Sequence, residues 1–273
     1  MHYNAKQSYN LINYFAQVAQ LVEQATENRC VGGSIPPLGT TFMLYSKFLI
    51  VIFLVLIQSC EFSQKDYFPS TYGLKWVYSV AIKSSYTGKS SNKRIIITNF
   101  HQAKKNKVEE FSKLYSDGSY YSYEIKDGKV ERTSVILTFT DGIDEPVKKI
   151  IYPDLNFKQK EWTVKEQLFL VRGFQPPLLN VKPRSQLEMN YKIKKRHKKL
   201  RIKNTTYDDC IEIAGSGNTK FIGDTRSGPI NVEVKNNEIL CNNIGLIQQV
   251  RSENTNASAF GNMTLTKNLM SFK

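Results

Sequence analysis

The 273-residue chain is poor in the residues that usually announce chemistry: it has four Cys, three His and two Trp. His101 and His197 stand far from one another and from the cysteines, with no ligand spacing between them, so a metal site is not expected. No cofactor signature is present either. Glycine is only 15 and no heptad persists, which excludes a collagen and a coiled coil. Long apolar runs are missing too. The one continuous stretch, FLIVIFLVLI over Phe48–Ile57, would make about 15 Å of helix against a ~30 Å hydrocarbon core, too short to span it comfortably. Acidic residues are scarce, 24 against 38 Lys and Arg, for a formal charge of +14. What the chain does have is 41% hydrophobic residues with 15 Tyr and 15 Phe, enough to pack one sizeable β domain or two small ones.

The short apolar run has the anatomy of an export signal: Lys47 before it, and Gln58-Ser59-Cys60 after it. Ile57-Gln58-Ser59-Cys60 resembles the bacterial lipobox. That resemblance implies that Cys60 is the first mature residue, its thiol carrying a diacylglyceryl thioether and its amine a further acyl chain such as palmitate. Each buried methylene contributes about 0.8 kcal/mol, so two or three chains hold a protein for its lifetime. The alternative is an ordinary secretory signal in which Cys60 is incidental. Glu61 stands where Asp would favour inner-membrane retention, so the resemblance leans toward a periplasm-facing anchor in the outer membrane.

Export signals start near the first residue, yet this one begins at Met43. Ala19-Gln20-Leu21-Val22-Glu23-Gln24 and Gly33-Ser34-Ile35-Pro36 are what the D-arm and T-arm of a bacterial tRNA gene encode when read as codons. Residues 1–42 are therefore expected to be a spurious extension with Met43 the true start; the alternative is an amphipathic helix around Leu11 to Val22. The remaining division is 43–59 signal peptide, 60–66 tether, 67–251 β domain and 252–273 C-terminal tail.

Beyond Cys60 the hydrophobic period is two, in short runs rich in Val, Ile, Tyr and Phe. Trp76, Tyr78 and Val80 point one way along the first run. Further strands are predicted at Arg94–His101, Val108–Tyr115, Ser119–Lys126, Val130–Thr140, Val147–Tyr152, Trp162–Val171, Leu187–Lys203, Asp208–Ala214, Thr219–Gly223, Ile230–Lys235 and Glu238–Val250. Asp117-Gly118 and Asp127-Gly128 suit the positive φ of tight hairpins, so neighbouring strands run antiparallel. The expected fold is all-β, an antiparallel meander curled into a half-barrel, barrel or sandwich, with Gly173–Arg184 dividing it into halves.

Phe68-Pro69, Gly73 and Trp76-Val77-Tyr78, then Tyr152-Pro153 with Trp162, then Tyr207-Asp208-Asp209-Cys210-Ile211-Glu212-Ile213, then Asn243-Ile244-Gly245-Leu246-Ile247 resemble uncharacterised bacterial exported lipoproteins. These typically open with F-P-x-x-x-G-x-x-W-x-Y and close with a G-V-G-L-V-like strand; Asn243 departs from the glycine or Pro-Gly usual there. The resemblance covers most of residues 67–250. It implies a β-rich periplasm-side domain and no catalytic residue.

Cys210 and Cys241 lie on neighbouring predicted strands, where a disulfide is allowed in an oxidising compartment; two buried free thiols are the alternative. Asp141-Gly142-Ile143-Asp144-Glu145 lacks the alternating order that wraps Ca²⁺ and reads as a hairpin loop. Gly215-Ser216-Gly217 lacks the third glycine and the helix of a dinucleotide site and reads as a turn. The triplets at Asn204, Asn256 and Asn262 would matter only in a eukaryotic source. The densest charge is KIKKRHKKLRIK over Lys192–Lys203, where the apolar parity switches between Tyr191/Ile193 and Leu200/Ile202, predicting a bulge near Arg196-His197. Lys194, Lys195, Arg196, Lys198, Lys199 and Arg201 either contact anionic lipid or lipopolysaccharide, or simply form a solvated edge that resists aggregation. Nucleic acid is disfavoured by export.

The expected function is therefore a non-enzymatic, lipid-anchored envelope protein that binds or supports a partner. A carrier of an acyl chain or other apolar ligand would need a continuous apolar cavity. An envelope hydrolase would need a polar cleft with convergent Asp, Glu, His and Ser.

Overall fold

A computed structural model describes residues 65–105, 107–137, 149–156, 161–179, 181–183, 185–223 and 228–273. The proposed extension, the signal peptide, Cys60 with its lipobox, and the acidic loop Asp141–Glu145 lie outside the described residues. The described chain forms β1 (Lys75–Ser84), β2 (Ser90–Lys105), β3 (Val108–Tyr115), β4 (Tyr120–Lys126), β5 (Lys129–Ile136) and β6 (Lys149–Tyr152). It continues with β7 (Glu161–Gln167), β8 (Gln186–Ile202), β9 (Thr205–Ile222), β10 (Pro229–Cys241), β11 (Gly245–Thr255) and β12 (Asn262–Phe272). All pair antiparallel in one sheet of order β6-β5-β4-β3-β2-β1-β12-β11-β10-β9-β8-β7. The sheet is a meander whose first and last strands, β1 and β12, pair at its middle. It curls until its edges, β6 and β7, come together: the Trp162 indole donates to Ile151 O at 3.2 Å and the Lys149 ammonium to Lys165 O at 3.2 Å. The all-β expectation resolves as a nearly closed barrel.

Turn chemistry sets the hairpins. Asp127 and Gly128 both take positive φ, 49° and 74°, as a two-residue hairpin turn requires. The cationic run occupies β8 and its exposed hairpin with β9. The parity switch is realised by a bulge between Ile193 and Lys195, slightly earlier than Arg196-His197.

Four expectations are corrected. Residues 252–273 are no tail: β11 runs to Thr255, and β12 lies between β1 and β11. Gly215 and Gly217 are mid-strand in β9, not a turn. A Cβ on Gly215 would lie 2.3 Å from the Tyr191 ring, and one on Gly217 would lie 2.4 Å from Glu188 O, so each glycine makes room for β8. The predicted break between Lys235 and Glu238 is continuous strand, because Asn236 turns inward and finds partners there. Gly173–Arg184 divides nothing, since it links β7 to β8 and these pair with each other.

The outward positions of β8 and β10 are polar, for example Glu188, Asn190 and Lys192, and Glu233, Lys235 and Asn237, all exposed, whereas Phe100, Leu114, Ile136, Ile150, Ile222 and Met270 on other strands are exposed apolar residues. Inside, a large aromatic and aliphatic cluster joins β3–β5 to β7–β10, and a second cluster surrounds Trp76, Tyr78, Val80 and Ile97. The segment before β1 crosses one end of the barrel. Phe68 packs against Phe111, Tyr123 and Tyr152 at centroid distances of 5.2–5.8 Å, and the buried Asn99 amide donates to Pro69 O and Thr71 O. The opening and closing motifs meet there. The Trp76 indole donates to Ile244 O at 2.6 Å, the Tyr78 hydroxyl to Leu246 O at 2.7 Å, and Pro69 packs beside Gly245, whose φ is 84°.

Cys210 and Cys241 face each other across β9 and β10, joined by a disulfide and buried with Ile247. The bond closes a loop of 31 residues, which by chain entropy stabilises the fold by about 3–4 kcal/mol. Cys241→Ser should lower the melting temperature by about 10 °C under oxidising conditions, and reductant should make parent and variant converge. Gly215→Ala should destabilise by about 1–3 kcal/mol in denaturant titration, since the Tyr191 ring is fixed by stacking on Trp162 and cannot withdraw.

Candidate functional site: the polar interior of the barrel

Side-chain alternation carries charge inward in the middle of the barrel, and the acidic members are satisfied. Arg251 on β11 is 2% exposed; it donates to Glu166 on β7 at 2.5 Å and to the fully buried Glu253 at 3.0 Å, with the Phe169 ring 4.3 Å from its guanidinium carbon. Burial opposes the Arg251 charge, but Glu166 and Glu253 more than offset it and the net shift is upward. Glu253 also accepts from the backbone amides of Phe169, Leu170 and Val171, which pins the chain leaving β7. Glu238 on β10 accepts from the Tyr152 hydroxyl at 2.6 Å, the Asn236 amide at 2.9 Å and the Gln249 amide at 3.0 Å. Burial raises its pKa despite those bonds. Tyr191 completes the network, donating to Glu166 and accepting from Asn236.

The basic members are not satisfied in this way. Lys113 on β3 faces inward opposite Asn99 and Tyr121, with its ammonium 4.0 Å from the Phe68 ring centre and 4.5 Å from that of Trp76. Lys267 on β12 stands opposite Val80 and Gln249, 5.7 Å from the Tyr78 ring. Arg132 on β5 pairs with Tyr123 and Lys149, and its Nε is buried without a hydrogen-bond partner among the described residues. Burial pushes the Lys113 ammonium down to about 7, against the attraction of Asp66 and with added repulsion from Lys267; Lys149 falls to about 8 by burial and the neighbouring Arg132. Lys267 is lowered by burial too.

This interior is packed between β3–β5 and β7–β10 and only partly covered around β1, β2 and β12. Ile82, Ile95, Leu265, Tyr115 and Lys113 all point inward yet remain half-buried, which a packed core would not allow. Eight strands make an interior that side chains just fill, and twelve exceed that. A second concavity, about 410 Å³, opens at the barrel end between Lys65, Phe68, Glu109, Asp127 and Asn156.

The sequence-predicted residues fall elsewhere. Lys194, Lys195, Arg196, Lys198, Lys199 and Arg201 are exposed on β8, where the Arg196 guanidinium donates to Leu155 O at 2.6 Å. His197 bonds Glu212 at 2.8 Å and His101 is exposed, so neither joins the inner cluster. Among the described residues no group of His, Cys, Asp and Glu is placed to hold a metal. Sequence reasoning missed the inner cluster because its members sit on eight different strands; the available signal was a polar residue breaking the apolar parity, as Asn236 and Lys267 do.

No family model matches the chain, and no curated protein matches it. Among solved structures it is similar, over 77% of its length and 99% of theirs, to a candidate lipoprotein of Parabacteroides distasonis (TM-score 0.46, 13% identity) and to a candidate exported protein with a YmcC-like fold from Bacteroides fragilis (TM-score 0.44, 12% identity).

The folded pKa of Lys113 lies below its ordinary 10.5. Between about 7 and 10.5 the folded chain thus binds fewer protons than the unfolded one, and this group makes stability rise with pH across that window. The gain in unfolding midpoint of Lys113→Met over the parent should be largest at pH 7 and below and shrink toward pH 10. A pH-independent difference would contradict the inward placement.

Proposed function

We propose that the chain is an exported, lipid-anchored binding protein of the outer membrane, acylated at Cys60, that receives a ligand inside its barrel and performs no catalysis. The observation that carries the reading is a set of inward side chains, Ile82, Ile95, Tyr115, Leu265 and Lys113, that the protein's own packing leaves half-buried. A pure scaffold gains nothing from that arrangement, since incompletely packed inward side chains forgo packing energy. An acyl carrier is less well suited, because Lys113, Lys267, Arg132 and Glu166 interrupt the lining, and burying such groups against a hydrocarbon chain is unfavourable. A hydrolase has little to work with: His197 is held by Glu212, and Cys210 opposite it is tied in the disulfide.

Export is supported by the lipobox and by that disulfide, a bond characteristic of oxidising compartments. The start of the domain is tied to the base of the cationic hairpin by the 2.5 Å ion pair between Lys65 and Asp209. Cys60 precedes Lys65 by five residues, a tether of about 18 Å fully extended. This favours the hairpin's lysines as a contact for anionic head groups, at about 1 kcal/mol per charge before screening. Metabolic labelling with an alkyne fatty acid tests the anchor: label is expected on the parent protein and not on Cys60→Ser, and equal labelling of both would refute acylation at this residue.

A further inference from the structure

Inside the barrel, carboxylates and cations are treated unequally. The oxygens of Glu238, Glu253 and Glu166 are taken up by Tyr152, Asn236, Gln249, Arg251, Tyr191 and backbone amides. Three cations are left over. Among the described residues Lys113 and Lys267 make neither a hydrogen bond nor an ion pair, and the Nε of Arg132 is buried and unpartnered. Lys113 on β3 and Lys267 on β12 are within electrostatic reach of one another, while Arg132 lies two strands beyond Lys113 on β5. Lys113 stands directly opposite Tyr121, whose ring lies 6.0 Å from the Arg132 guanidinium, and Lys113 and Lys267 flank the inward column of β1, over Trp76 and beside Tyr78. Lys267 adds by repulsion to the lowering of the Lys113 charge, and Lys93 does the same to Lys267, in each case after burial. Two carboxylates are nearby and oppose an anion there: Glu238 near Lys267, and Asp66 near Lys113, the latter also bonded to the Phe68 amide. Neither meets a lysine in an ion pair.

Cations turned into the barrel and half-buried without a hydrogen-bond partner are unfavourable unless something completes them. We infer that Lys113 and Lys267 form an anion site within the barrel that takes the phosphate or carboxylate group of a ligand whose body lies on the Trp76 and Tyr78 faces. This rests on the reading of the interior as a ligand chamber and adds the ligand's charge to it. The aromatic rings give the body an apolar surface, while the cations supply donors to the oxyanion. The same chemistry could come from a free phosphorylated metabolite or from a phospholipid head group.

Calorimetric titration of the purified protein with phenyl phosphate, inorganic phosphate, glycerol 3-phosphate and neutral phenol tests the site. Phenyl phosphate is expected to bind more tightly than inorganic phosphate. Lys113→Met and Lys267→Met, each shown by circular dichroism to be folded, should each weaken that binding at least tenfold. A preference for glycerol 3-phosphate over phenyl phosphate, with the same loss in both variants, would support the site with the head group as its source. Unchanged affinity in both folded variants would overturn the site and assign the binding to the surface lysines of β8. Phenol binding as tightly as phenyl phosphate would overturn the anion preference while leaving the chamber reading intact, and no binding of any probe at millimolar concentration would overturn both.

Discussion

Among the described residues the two edge strands, β6 and β7, share no backbone ladder, and the cylinder is held shut largely from within. The Tyr152 hydroxyl on β6 reaches Glu238 on β10 and ties the two sides of the gap, while Arg251 on β11 reaches Glu166 on β7 and curls that edge inward. Such ties are strong only as complete sets. Removing one partner from a buried pair leaves an uncompensated charge and typically costs about 3–5 kcal/mol. Phe68 and its aromatic neighbours do the same at one end by apolar contact. A barrel closed in this way must bury polar groups, and the inward charge follows from closure as much as from any ligand.

That requirement gives the interior two roles. The carboxylates and Arg251 are consumed by closure, each with its full set of partners. Lys113, Lys267 and Arg132 contribute nothing visible to closure, and their cost in desolvation is offset only in part, by aromatic rings and by the more distant carboxylates of Asp66 and Glu238. Function is therefore sought among the groups that the architecture does not explain.

The lipoprotein-like motifs acquire a physical meaning in the fold. The aromatic-Pro opening and the Gly-Leu-Ile closing strand are separated by about 170 residues, yet Trp76 and Tyr78 donate to the backbone carbonyls of Ile244 and Leu246. The meander brings β1 beside β12 and β12 beside β11, so the first and last motifs must lie two strands apart. Gly245 is needed where Pro69 comes close and φ is positive.

Much of the strand content was legible from the alternation of Tyr, Phe, Val and Ile, and the antiparallel meander from the Asp-Gly turns. Legibility failed where inward positions are not apolar. Asn236 looked like part of a turn in β10, Gly215 and Gly217 looked like a turn in β9, and Lys267 hid β12 inside what read as a tail. Each is an inward site occupied by a polar or missing side chain, and each is tolerated because partners or space are supplied by strands distant in sequence. By itself the sequence determined the basic balance, the all-β class and most hairpins, since all of these depend on composition or on residues near one another along the chain. The closing of the sheet into a barrel, the pairing of Cys210 with Cys241 and the approach of Lys113 to Lys267 were decided only by tertiary structure. Register between strands and the curvature of the sheet set which side chains share an interior, and neither is written in local periodicity.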